Sequence, residues 1–341
     1  MNYDALLIVS FGGPEKADEV MPFLELVLRG KNIPRPRLLE VAEHYYHFGG
    51  ASPINQQIRE LIQALESELR QHGPHLPIYW GNRNWHPFLG ETLRHMQQDG
   101  VRQALAFVTS AFSSYSGCRQ YREAIEAARQ EVGAGAPVIH KMRCFFNHPN
   151  FIQAMQQRVE DALGQIPAPR RAQARVVYTA HSIPQSMAQT SRYVEQLQEA
   201  SRMVSARLGR SDDPLVFQSR SGPPGQPWLE PDILDYLRRL HAAAGACDVV
   251  IVPIGFFSDH MEVIYDLDTQ ARDLCRQLGI NMVRAVTAGT HPLIITMIRD
   301  LMLERMEEGR EKATVGQFGA LPDFCPEDCC LPPARPTARR P

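Results

Sequence analysis

The chain has 341 residues, 44% apolar and 22% charged, which suits a globular protein with a sizeable core. A formal net charge of −2 excludes the basic footprint of a nucleic-acid binder. No apolar run approaches the roughly 18 residues of a membrane helix. The N-terminal "MNYDALLIVSFGGP" has no basic n-region and carries Asp4 before its apolar run, so it reads as a first strand and not a signal peptide. A cytoplasmic protein is expected.

In chain order, "ALLIVSFGGP" (5–14) reads as a strand ending in a Gly-Gly-Pro turn. "NQQIRELIQALESELRQHG" (55–73) carries Ile58, Leu61, Ile62, Leu65 and Leu69 at helical spacing, with Gly73 as its stop. "PIYWGNRNWHP" (77–87) and "ALAFVTSAFSSYSG" (104–117) are further strands with polar ends. The plan then repeats. "RVVYTAHSIP" (175–184) mirrors the first strand, "LVFQSRSGPPGQPWLEPDI" (215–233) the second, and "VVIVPIGFFSDHMEV" (249–263) the third. Strands alternating with helices imply parallel sheets covered on both faces. Three matched strand–loop pairs in the same order predict an α/β fold of two Rossmann-like halves facing across a cleft. The expected boundaries are 1–150, 151–312 and a Cys-containing tail, 313–341, whose last ten residues read as disordered.

Ligands of α/β sheets bind beyond the carboxyl ends of the strands. His181 directly follows "VVYTA" and so emerges at such an end. The segment after "VVIVPIGFF" crowds Asp259, His260, Glu262, Asp266 and Asp268 onto the same edge. Glu262, Asp266 and Gln270 are four apart and share a face if the segment is α-helical. Neutral imidazole is both a ligand for divalent iron and a proton acceptor near neutral pH. A carboxylate set among Met261, Val263, Ile264 and Tyr265 has a raised pKa, as suits proton exchange. There is no G-x-G-x-x-G, no P-loop and no G-x-S-x-G elbow, so nucleotide cofactors and serine hydrolysis are unsupported. Phe11, Tyr45, Tyr46, Trp85, Tyr115, Tyr121 and Trp228 fall at loops and together suit a large, flat, apolar ligand.

"TAHSIP", "GFFSDHMEVIYDLD", "HFGGASPI" and "SSYSGCRQYRE" resemble the ferrochelatases, most closely the actinobacterial type that acts on coproporphyrin III, over about residues 3–330. The resemblance implies two Rossmann-like halves around a porphyrin cleft, with Fe²⁺ and coproporphyrin III as substrates, in an enzyme expected to be monomeric. It implies His181 and Glu262 as the inner iron-site pair and Ser52 and Tyr121 as porphyrin contacts, with Asp266 the next acid outward. Ser52, before Pro53, equally fits a helix N-cap. Three positions depart from relatives in Firmicutes. Phe11 stands where they have a tyrosine able to reach iron, Leu28 where they have a basic residue, and Gln270 where they have the outermost acid. Four porphyrin carboxylates call for polar anchors around the rim, for which Ser52, Asn55, Arg29 and Arg83 are the candidates. The other readings are a chelatase for protoporphyrin IX or for another metal, and a non-catalytic haem carrier or sensor.

Seven cysteines include "CPEDCC", where Cys325, Cys329 and Cys330 crowd together. In a reducing compartment such a cluster points to metal before disulfide. Adjacent cysteines strain as a mutual disulfide, yet both can ligate a [2Fe–2S] centre, which takes four ligands. The fourth must come from the body. Cys118, in a strand-end loop that a tail can fold back onto, is expected first and Cys144 second; Cys247 and Cys275 read as local packing.

Overall fold

A computed structural model describes residues 2–30, 33–222 and 225–332; residues from 333 onward, where disorder was expected, lie outside that range. Two four-stranded parallel sheets organise the chain. The first holds β1 (Ala5–Ser10), β2 (Ile78–Asn82), β3 (Gln103–Val108) and β4 (Val138–Lys141), in the order β2-β1-β3-β4. The second holds β5 (Arg175–His181), β6 (Leu215–Gln218), β7 (Asp248–Val252) and β8 (Asn281–Arg284), in the order β6-β5-β7-β8. The orders are equivalent, as the mirrored segments predicted. Registers agree too: Leu6 pairs with Ile78 and Leu105, as Tyr178 pairs with Leu215 and Val252.

Every residue of β1 and β7 is buried, as expected of central parallel strands covered on both faces. Side chains alternate between two cores because the strand period is two. Leu6 and Ile8 of β1 join Val176, Tyr178, Val250 and Val252 of the second sheet in one large core. Ala5, Leu7 and Val9 point the other way, onto helices Leu89–Gln98 and Gln120–Val132. Val177, Val249 and Ile251 do the same for the second sheet. Helices Ile54–His72, Pro149–Gly164, Tyr193–Arg207 and Pro292–Met306 fill the space between the sheets. The helix read from 55–73 is thus Ile54–His72, and Gly73 ends it at φ 63°, a conformation glycine adopts without cost.

Beyond Met306 the chain runs irregularly across both halves. Arg143 and Glu304 form a buried bidentate pair, Nε to Oε2 at 2.7 Å and Nη2 to Oε1 at 2.8 Å, and both also bond Ala313. Gln317 N donates to Glu199 Oε1, and Asn147 Nδ2 to the Gly319 carbonyl. The tail is therefore fastened to the body before it reaches its cysteines.

Candidate active site

Because β6, β5 and β7 are parallel neighbours, their carboxyl ends deliver three loops to one edge. β5 ends on His181 itself. Its Nδ1–H donates to the Ser182 carbonyl, leaving Nε2 toward Glu262 Oε2 at 3.4 Å. Tyr193 Oη donates to the His181 carbonyl at 3.1 Å, holding the strand end from behind. After β7 the chain turns at Gly255, where a Cβ would lie 2.5 Å from the Cβ of Ala180, so only glycine lets this turn pack against β5. The turn leads into helix Met261–Tyr265, which carries Glu262 and buries Met261 and Val263. From the end of β6, Gln218 Nε2 donates to the Glu262 carbonyl and the Ser219 hydroxyl to the Asp266 carboxylate.

Charge follows from these contacts. Burial works against a charged His181, but Glu262 outweighs it and the imidazole is raised above its ordinary value. Burial pushes Asp266 up to about 7; Glu262 adds to this and the Ser219 hydrogen bond opposes it. His260, with Nδ1 3.9 Å from Glu262 Oε2, moves down because it is buried and because His181 is near. Two imidazoles around one carboxylate thus differ in proton affinity, and an acid half-protonated near neutrality follows them. The group can take up a proton, hold it and pass it on.

Two of the five groups crowded after β7 are not part of this set. Arg284 at the end of β8 pairs with Asp259 (3.1 Å) and Asp268 (2.9 Å), and Arg272 also holds Asp268. The four-residue row also needs correcting. Residues Asp266–Ala271 form a π-helical turn, so the α-helical repeat that would align Gln270 with Glu262 and Asp266 is broken, and Gln270 is exposed. The sequence places His260 among the crowded groups without a role of its own and does not point to Ser219. A π turn has no apolar period of its own, and a contact between residues 219 and 266 leaves no local trace.

The first half presents a different edge. Gly12, at φ 82°, brings the loop after β1 against Asn82, and Phe11 there packs edge-on to Phe23. Arg83, after β2, lays its guanidinium over Phe11 (5.2 Å) and over the buried Tyr121 (5.1 Å), and donates to the Ser116 carbonyl. Phe23, Tyr45 and Met261 form an apolar wall with Phe11, Trp85 and Tyr265 packed against it. Burial, with Glu262 nearby, raises the Tyr45 hydroxyl, so it stays neutral. Asn55 is 1% exposed and bonds the carbonyls of Gly13 and His86, so it ties the loops together and is no rim anchor. Ser52 does not cap its helix. The helix cap is Pro53, with no side-chain capping bond, and Ser52 instead packs, buried, where a Cβ on Gly13 would fall. Arg29 is exposed.

The cysteines gather elsewhere. Cys118 sits in a second π turn, Tyr115–Arg119, after β3. Arg119 Nη1 donates to the carbonyls of Glu327 and Cys329, and Arg122 Nη1 to those of Cys325 and Pro326, holding the tail over this turn. Cys118, Cys144, Cys325, Cys329 and Cys330 line one cavity of about 970 Å³ together with Lys141. Sγ of Cys329 and Cys330 are 3.5 Å apart. Cys275 is buried in the second sheet's outer core and Cys247 packs beside it. Among the described residues, no three Cys, His, Asp or Glu side chains already converge at metal-holding distances.

Comparison with known proteins agrees with this architecture. The family model described as ferrochelatase matches residues 3–306. A protein of Rhodopirellula baltica named ferrochelatase is 56% identical, covering 98% of this chain and 95% of its own. Proteins named coproporphyrin III ferrochelatase from Nocardia farcinica and Streptomyces coelicolor are 47% and 48% identical, covering 99% and 94% of their own lengths. Among solved structures, the sirohydrochlorin chelatase of Bacillus subtilis subspecies spizizenii in complex with cobalt aligns over 89% of this chain and 95% of its own. Its TM-score is 0.53 at 11% identity, a likeness of fold alone.

Proposed function

The chain belongs to the ferrochelatase family, and from that premise we propose that it inserts Fe²⁺ into coproporphyrin III, a lyase reaction of haem biosynthesis. The observation that carries the chemistry is the His181–Glu262 pair, 3.4 Å apart at the carboxyl edge of the second sheet. The choice of coproporphyrin III is supported by the names of the relatives that match nearly the whole chain at 47% and 48% identity.

Insertion removes two pyrrole protons while Fe²⁺ sheds its water. His181 Nε2 accepts them in turn, handing on the first before taking the second, and Glu262 stabilises the imidazolium that forms each time. The same two side chains are the donors for the incoming metal. Asp266, close to half-protonated at neutral pH, takes the proton onward under the hydroxyl of Ser219. On the opposite edge Arg83 offers a cation to a propionate, with Tyr121 beneath it and Ser52 in the adjoining loop. Phe11 has no ligating atom, so iron gains no axial ligand from this position. A cleft that holds the macrocycle bent lowers the barrier by exposing its lone pairs.

A [2Fe–2S] cluster at Cys118 is supported by the cysteines that line one cavity there, whose side chains would have to draw together to hold it. Cys118, Cys325, Cys329 and Cys330 supply four thiols, and Lys141 supplies the opposing charge. A cluster there would tie the tail to the first half. Thiols kept reduced for this purpose fit a cytoplasmic location, and among the described residues no helix is long and apolar enough to cross a membrane.

The test is anaerobic Fe²⁺ with coproporphyrin III or protoporphyrin IX, followed at the Soret band. Faster turnover of coproporphyrin III is expected. Equal or faster turnover of protoporphyrin IX overturns the substrate, and tight haem binding without insertion overturns the enzyme reading.

A further inference from the structure

Cys144 has no part in the chemistry above, yet its sulfur lies 3.9 Å from that of Cys118. The reason is the topology. β3 and β4 are adjacent parallel strands, so the segments leaving their carboxyl ends run side by side. One carries Cys118 in the Tyr115–Arg119 turn, whose start is fixed by Gly117 N donating to Ser114 Oγ. The other carries Cys144 just after β4, rooted by the buried Phe145 and Phe146. Both thiols are nearly closed off, 6% and 5% exposed, but both line the cavity of about 970 Å³, which admits a small reagent.

We propose that Cys118 and Cys144 form a redox pair that hydrogen peroxide converts to an internal disulfide. The sulfurs must approach by about 2 Å to reach bonding distance. Cys118 Sγ attacks the peroxide O–O bond and becomes a sulfenic acid, and the departing hydroxide takes the thiol proton as water. Cys144 Sγ then displaces the sulfenic oxygen, which leaves with the second thiol proton as another water. Two thiols lose two electrons and one peroxide is reduced to two waters. Cys329 and Cys330 are closer in space but adjacent in sequence, where a disulfide is strained. Cys325 belongs to the tail loop and is less buried.

One consequence rests on the cluster reading. Cys118 is the body's ligand for the proposed [2Fe–2S] centre, so cluster and disulfide compete for the same sulfur. A bound cluster protects the pair, and the disulfide blocks reassembly until it is reduced.

The experiment treats the full-length protein, purified anaerobically, with hydrogen peroxide. Free thiols are then alkylated, the protein is digested without reductant, and cross-linked peptides are identified by mass. A Cys118–Cys144 link is expected in most molecules, reversible by dithiothreitol and absent in Cys144→Ser. Recovery of both residues alkylated, or Cys118 linked mainly to Cys325, overturns the pair. In protein carrying visible cluster bands, the link is expected only after those bands bleach; a link formed while they persist overturns the competition. A colourless preparation that still forms the link supports the pair and removes the cluster reading.

Discussion

The two sheets share one strand order, yet their carboxyl edges end in different chemistry. The second sheet finishes in groups able to exchange protons or bind cations: His181, Glu262, His260 and Asp266, with burial lowering His260 and raising Asp266, and with Glu262 raising His181 against burial. The first finishes in Phe11, Arg83 and buried amides such as Asn55 and Asn82, which hold position and present aromatic surface and one cation. A duplicated architecture thus allows a division of labour. In the proposed reaction one half holds the flat ligand and the other acts on its centre. The fold supplies the two edges, and the residues at the strand ends decide what each edge does.

The sharpest way to break this contrast is to remove the carboxylate from the reactive edge. Glu262→Gln is expected to lower the maximum rate by about 10²-fold or more, the scale of a lost acid–base partner. It also carries a pH signature. Glu262 raises His181 against burial; without it burial dominates, the imidazole loses its proton more readily, and the acid limb of the rate profile moves to lower pH. A Glu262→Gln profile with the wild-type limb would detach His181 from Glu262.

On the holding edge, Arg83→Met keeps bulk over Phe11 and Tyr121 but removes the charge. Porphyrin affinity measured by fluorescence quenching should fall about tenfold, roughly one charged hydrogen bond, with little change in the rate at saturation. A drop in that rate at unchanged affinity would move Arg83 to the reactive side of the comparison.

The smallest effect is expected for Asp266→Asn, a few-fold loss seen at limiting Fe²⁺ and shrinking at saturation. If its raised carboxyl, beside the proposed His181–Glu262 pair, lines the path by which Fe²⁺ arrives as well as relaying protons outward, its loss slows supply more than the insertion step. Unchanged iron dependence would make it a structural partner of Ser219.

The strands that carry this account were legible because they are apolar, Gly- or Pro-terminated and matched in order. β4 and β8 were not read: "VIHK" and "NMVR" are four-residue edge strands, partly exposed, with no clear period. His181 and Glu262 were visible as polar residues just past buried strands. Their company was not. Arg284 captures Asp259 and Asp268 from a strand that went unread, and Ser219 reaches Asp266 from another loop, so five candidate groups became three only after folding. The π turns at residues 115–119 and 266–271 insert a residue where sequence patterns assume an α repeat, which displaced Gln270 from its expected face. The approach of Cys144 to Cys118 likewise follows from strand adjacency and not from spacing.

The most direct test of the central claim, that the second-sheet edge performs insertion while the first-sheet edge holds the macrocycle, is His181→Ala with porphyrin binding and anaerobic iron insertion measured on the same sample. The account predicts coproporphyrin III affinity within about threefold of wild type, a small uniform-binding effect, with insertion reduced to the background rate. Near-normal insertion in this variant, or loss of binding in step with turnover, would contradict it.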